Sequence, residues 1–138
     1  MTTTLNEALG AASRGWSVIL IKPRDKTSLG SWKDRQRARA TLDELEAAFQ
    51  TNPEAGLGFV TGPISNLVVL DIDPRSGGSQ SMEYLLEQFG TMPQTPVVRT
   101  GGGGYHYYFQ YPEGGLRNSA GKLGDGLDIR GEGGYVVA

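Results

Sequence analysis

Asp71, Asp73, His106, Asp128 and Arg130 are the residues whose types and spacing could do chemistry in this chain. In "LVVLDIDP" (67–74) a run of aliphatic residues meets two aspartates separated by one isoleucine. On a strand, side chains alternate faces, so Asp71 and Asp73 share one face, with Cα atoms about 6.5–7 Å apart. Carboxylates that close repel unless a cation lies between them. Hard divalent ions such as Mg²⁺ take oxygen ligands of this kind. The plainer reading is a strand end whose aspartates, with Pro74, cap the following turn. In "TGGGGYHYYFQY" alternation sets Tyr105, Tyr107, Phe109 and Tyr111 on one face and His106, Tyr108 and Gln110 on the other. His106 is the only histidine, and the glycines before it, Gly103 and Gly104 among them, let the chain approach a bulky anion such as a triphosphate. In "GLDIRGEGGYVVA" Asp128 and Arg130 fall together, with Leu127 and Ile129 behind them. A solvated ion pair is the plainer reading there.

Taken together, three strands each present an acidic, imidazole or guanidinium group beside glycines. Three carboxylates can hold two divalent ions, which activate an attacking hydroxyl and stabilise a leaving pyrophosphate. A histidine and an arginine would steady the triphosphate. This is the equipment of a nucleotidyl transferase.

Positioning these residues needs a sheet. The 138 residues suit one domain with a substantial core. A capping box at Thr4/Glu7 starts a helix that Gly15 closes, and "WSVILIKP" is a strand. A second capping box, Thr41/Glu44, starts a helix with Leu42, Leu45 and Phe49 on one face. "GLGFVTG" and "NLVVLDID" are strands. Met82, Leu85, Leu86 and Phe89 give a third helix one apolar face. The rest is β, with "GGGG" and "GEGG" as tight connections of two hairpins. The expected class is α+β, a sheet covered on one face by helices. Thirteen basic and 15 acidic side chains leave a net charge of −2, which neither demands nor excludes nucleic acid. With no cysteine, disulfides and thiolate metal sites are excluded. The N-terminus has no signal-peptide pattern, and no apolar run is long enough to span a bilayer. A cytoplasmic location, without membrane partners, is expected.

The ordered set "LVVLDID", "GGYHYYF" and "GLDIRGEGGYVVA" resembles the bifunctional primase–polymerase N-terminal domain of the archaeo-eukaryotic primase superfamily. Asp71 and Asp73 match its D-x-D motif, Gly104 and His106 its small-x-His element, and Asp128 its hydrophobic-Asp element. "RGWSVILIKPRDK" resembles its N-terminal strand and lysine-bearing loop, with Lys26 in the lysine position. "GLGFVTG" and "MPQTPVVRTGGG" extend the likeness over nearly the whole chain. The resemblance implies an RRM-like catalytic half with a smaller N-terminal α/β unit. It also implies primer synthesis and DNA polymerisation from NTPs or dNTPs on a single-stranded DNA template, using two Mg²⁺ or Mn²⁺ ions. A fused or partner helicase and a phage, plasmid or other mobile-element context are implied too. Family members continue beyond the position of Ala138, so a fragment of a longer replication protein is expected.

On this reading Asp71, Asp73 and Asp128 hold metal, while His106 and Arg130 contact the β- and γ-phosphates. Arg99 and Lys26 are further candidates for that anionic pocket. Tyr108, on the histidine face, is a candidate for contacting the sugar. The basic run Lys33, Arg35, Arg37 and Arg39 beside Trp32 is expected to be a mobile arm gripping template phosphates, with Trp32 stacking on a base. The plainer view of this run is a solvated loop with a few salt bridges to Asp34 or Asp43. A D-x-D glycosyltransferase would leave His106 and Asp128 unexplained. A haloacid-dehalogenase-type phosphatase would want a small hydroxyl or aliphatic residue where Arg75 stands. A non-catalytic replication-initiator module that binds single-stranded DNA is the remaining alternative, although carboxylates on its binding face would repel phosphates.

Overall fold

The computed structural model describes residues 3–101 and 103–138. One of the four glycines of "GGGG", Gly102, lies outside the described residues. The elements run α1 (Thr3–Ser13), β1 (Ser17–Ile21), α2 (Leu42–Thr51), β2 (Gly56–Val60), β3 (Leu67–Ile72), α3 (Gly78–Phe89), β4 (Val97–Arg99), β5 (Tyr105–Gln110), β6 (Ser119–Ala120), β7 (Leu127–Arg130) and β8 (Tyr135–Val137). This is an α+β fold with two sheets. One has the order β1-β2-β8, the other β4-β5-β3-β7-β6. Every pairing between named strands is antiparallel.

Strand alternation sorts the aliphatic residues into separate cores. Val18, Leu57, Phe59 and Val136 of the small sheet face α1 and α2 and meet Leu67, Val69 and Tyr108 of the large sheet in one cluster. Ile19, Ile21 and Val60 point to the opposite face of the small sheet, where Trp32 and Tyr135 cover them. Leu70, Ile72 and Leu127, on the far face of the large sheet, pack with Tyr107, Phe109 and Ile129 against Met82 and Leu85 of α3. Each sheet is thus covered by helix on one face. Fully burying each large aliphatic side chain stabilises by about 1.5–3 kcal/mol. Among the described residues no helix is long and apolar enough to cross a membrane.

Several local expectations change. The Thr41/Glu44 capping box is present in both directions. Helix α1 already includes Thr3, so Thr4 lies inside the first turn instead of capping it. Only the first half of the α3 stripe is covered: Met82 and Leu85 pack on the sheet, while Leu86 is exposed and Phe89 is 83 % exposed. "GGGG" does join a hairpin, β4 to β5. "GEGG" does not: it carries the chain from β7 in the large sheet to β8 in the small one. Thr61 fixes this crossing, its amide donating to the Gly134 carbonyl at 3.0 Å and its buried hydroxyl to the Gly131 carbonyl at 2.7 Å.

After β3 the backbone is held from three sides. The Asp73 amide donates to the Gly126 carbonyl at 2.8 Å, and the Gly78 amide to the Asp73 carbonyl at 2.9 Å. Gly126 has φ +75°, and a Cβ there would stand 2.6 Å from the Asp73 carbonyl oxygen. Gly126→Ala is therefore expected to cost more than about 2 kcal/mol in denaturant unfolding. Gly114→Ala, where a Cβ meets nothing within 4 Å, should stay within about 0.5 kcal/mol of the parent. Thr41→Ala removes the Thr41 side of the α2 cap, and the same titration should show a loss of about 1 kcal/mol.

Candidate active site

The register of the large sheet brings three of the sequence's candidates into one row. Asp71 of β3 lies directly opposite His106 of β5 on one side and Asp128 of β7 on the other. Directly opposed residues share a face, so the three side chains emerge together. Two residues along, Val69 lies between Tyr108 and Arg130, which places Arg130 next to Asp128 on that face. One end of the face is core, under α1 and α2. The other opens into a cleft of about 580 Å³.

Each group in the row has a defined partner. His106 Nε2 lies 3.5 Å from Asp71 Oδ1. Asp128 Oδ2 lies 3.9 Å from Arg130 Nη2, and its Oδ1 accepts from the Gly121 amide at 3.1 Å. The Asp71 carboxyl is held below the usual carboxylate range, first by the His106 hydrogen bond, with the charges of His106, Arg130 and Lys26 outweighing part of the burial penalty. Asp71 is therefore an anion at neutral pH.

Asp73 behaves differently. Strand β3 ends at Ile72, and Asp73 caps a 3₁₀ turn that opens on Pro74 and is closed by Gly77. Its Oδ1 accepts from the Arg75 amide at 3.0 Å, and its Oδ2 from the Ser76 hydroxyl at 3.0 Å. It lines the same cleft. Among the described residues no three carboxylate or imidazole side chains converge on a single point. The turn-capping reading of the D-x-D thus describes Asp73, while Asp71 stands in the row.

The remaining candidates frame the cleft. Gly104 forms its wall, packed so closely on the Ile72 carbonyl that a Cβ has no room; its neighbour Gly103 takes φ +85°. Arg99 pairs with Tyr105, one residue out of phase with His106, and lines the cleft from the sheet edge. Lys26 comes from the loop after β1, whose carbonyl at that residue accepts from the Tyr135 hydroxyl at 3.0 Å. Tyr108 is not available to a sugar: it is 5 % exposed and packs against Trp16 with ring centroids 5.7 Å apart. Burial raises its phenol to about 12.

The basic run is not an extended arm. Lys33–Gln36 forms a 3₁₀ turn, so strand alternation does not apply to it. Arg35 pairs with Glu44 at 3.3 Å, a partner other than the expected Asp34 or Asp43. Arg39 donates to the Ile64 carbonyl at 3.0 Å. Lys33 and Arg37 are exposed. Trp32 lines the cleft edge-on to Tyr135, with centroids 5.0 Å apart.

Arg75, Thr100, Asn118 and Tyr135 also line the cleft and were not singled out by sequence. Thr100 could have been, since its hydroxyl accepts the Gly104 amide at 3.0 Å and it abuts the glycine run. Asn118 had no signal, because it precedes a two-residue strand in a stretch without periodicity.

The comparison with curated proteins gave no match. A family model described as bifunctional DNA primase/polymerase, N-terminal, matches residues 8–138, and the chain belongs to that family.

Proposed function

We propose that this domain is a template-directed nucleotidyltransferase that makes and extends primers as a DNA primase–polymerase. The observation that carries the reading is the row His106–Asp71–Asp128 on adjacent strands at the mouth of the cleft, in a chain of this family. Like charges directly opposite one another weaken a sheet, and here the nearest N–H donors, on His106 and Arg130, stand 3.5 Å from Asp71 and 3.9 Å from Asp128. Partly exposed carboxylates at directly opposed positions on one face are oxygen donors of the kind a hard divalent ion takes.

Asp71 and Asp128 would hold Mg²⁺ or Mn²⁺, with Asp73 as the further carboxylate of a two-ion site. When bound, the ions supply Lewis acidity toward the attacking 3′-hydroxyl and the leaving pyrophosphate. The residues of the chain bind and orient. Arg130 and His106, joined by Arg99 and Lys26, meet the triphosphate with charge-assisted hydrogen bonds. Gly104 lets the backbone come close to it. A single-stranded template would lie against the Trp32 side of the cleft, with Lys33 and Arg37 offering charge to its phosphates. A helicase, fused or as partner, would supply the opened strand.

Asp71→Asn and Asp128→Asn are each expected to lower primer extension about a hundredfold or more while the circular dichroism spectrum stays that of the parent. Mn²⁺ binding followed by electron paramagnetic resonance should weaken in the same variants. A parent that binds single-stranded DNA but neither Mn²⁺ nor nucleotide would instead establish the non-catalytic module.

For the template, replacing Lys33 and Arg37 by Ala should lower the salt slope of single-strand binding by about 1.4, or about 0.7 per phosphate contact. Arg35→Ala with Arg39→Ala should change it less, since both guanidinium groups already have partners in the chain.

A further inference from the structure

His106 and Tyr108 share more than a face. They are 8 % and 5 % exposed, their ring centroids are 6.4 Å apart, and each carries a buried polar atom with no hydrogen-bond partner: Nδ1 of the imidazole and the phenol oxygen. Buried polar atoms are seldom left unpaired, and each such atom costs about 1–3 kcal/mol. Two of them on neighbouring side chains can satisfy each other through a shared water.

We infer that Tyr108 is a positioning residue for His106: its buried hydroxyl, through one bridging water, holds the imidazole with the proton on Nε2, directed at Asp71. The donor and acceptor pattern leads to this arrangement. The Asp71 carboxylate only accepts, and it faces Nε2 at 3.5 Å. A proton on Nδ1 would turn the Nε2 lone pair toward a carboxylate, so Nε2 carries the hydrogen and Nδ1 becomes an acceptor in need of a donor. The Tyr108 hydroxyl donates to the water, and the water donates to Nδ1. The packing of Tyr108 against Trp16 and the core needs only a ring. A phenylalanine would supply that without burying a hydroxyl, so the hydroxyl requires another explanation. For the nucleotidyl-transfer reading, on which this one consequence rests, His106 presents an Nε2–H of fixed direction, shared between Asp71 and an incoming phosphate oxygen, with its far nitrogen anchored in the core.

His106 is the only histidine of the chain, so its ring nitrogens give one unambiguous set of signals. Two-bond ¹H–¹⁵N correlation spectra of the whole chain, recorded where the ring's own nitrogen shifts report the neutral imidazole, should show the Nε2–H tautomer with a hydrogen-bonded Nδ1. In Tyr108→Phe the Nδ1 resonance should move toward that of a free nitrogen, and the other tautomer should appear. Tyr107→Phe, on the opposite face of β5, should leave both nitrogens unchanged. A wild-type spectrum with the proton on Nδ1 overturns the inference, as does a Tyr108→Phe spectrum identical to wild type. Nucleotide affinity should fall about tenfold in Tyr108→Phe, in the range of lost outer-shell contacts. If wild type binds no nucleotide, the proposed function fails, and the tautomer spectra still decide the role of Tyr108.

Discussion

Asp71 and Asp128 face each other across two hydrogen-bonded strands, and the rest of the large sheet is arranged around that repulsion. Side chains at opposed positions cannot move apart without breaking the ladder. Relief must come from the flanks. His106 supplies it from β5 and Arg130 from the next position along β7. The same face is sealed at its other end by Tyr108, Val69 and the helices of the small sheet, so the charges are crowded toward the cleft. In stability terms this row is a cost, offset by the histidine and the arginine beside it.

The glycines around the row serve this arrangement by letting backbones touch. Gly104 lies on the Ile72 carbonyl and Gly131 on that of Leu116, each without room for a Cβ. Gly78 and Gly126 wedge the turn that follows Asp71 from both sides. The backbone of Asp73 is therefore fixed, and both oxygens of its carboxylate are tied to the turn while the residue lines the cleft. Strand β3 carries one aspartate rigidly and hands the second to a turn.

How much of this could be read from the sequence depended on the kind of interaction. Strand alternation correctly assigned His106 and Tyr108 to one face and Tyr107 and Phe109 to the other, because a period of two is local and survives any packing. The Thr41 capping box was equally local. Asp73 defeated the same logic, since the strand stops one residue earlier than its alternation suggests and Pro74 turns the chain. "GEGG" has the composition of a hairpin turn. What makes it a crossing is Thr61, about seventy positions away in sequence, and turn chemistry carries no record of such a partner. Phe89 obeys helical spacing, yet no core residue among those described packs on it, and helical spacing alone does not say where the partner surface lies. The basic run was legible as charge but not as shape: its 3₁₀ turn and the carbonyl of Ile64 consume charges that a one-dimensional pattern leaves free.

The crossing at residues 131–134 has a mechanical side. The chain passes between the sheets only here and between β2 and β3, and the two passages are stitched to each other through Thr61. They act as one clasp, not as two separate straps. The small sheet, with Trp32 and Tyr135 on its outer face, is bound to the large one through that clasp and the shared core, and the Asp128 strand runs straight into it. The Tyr135 wall of the cleft and the carboxylate opposite Asp71 are therefore two ends of one short stretch of chain, joined through the clasp.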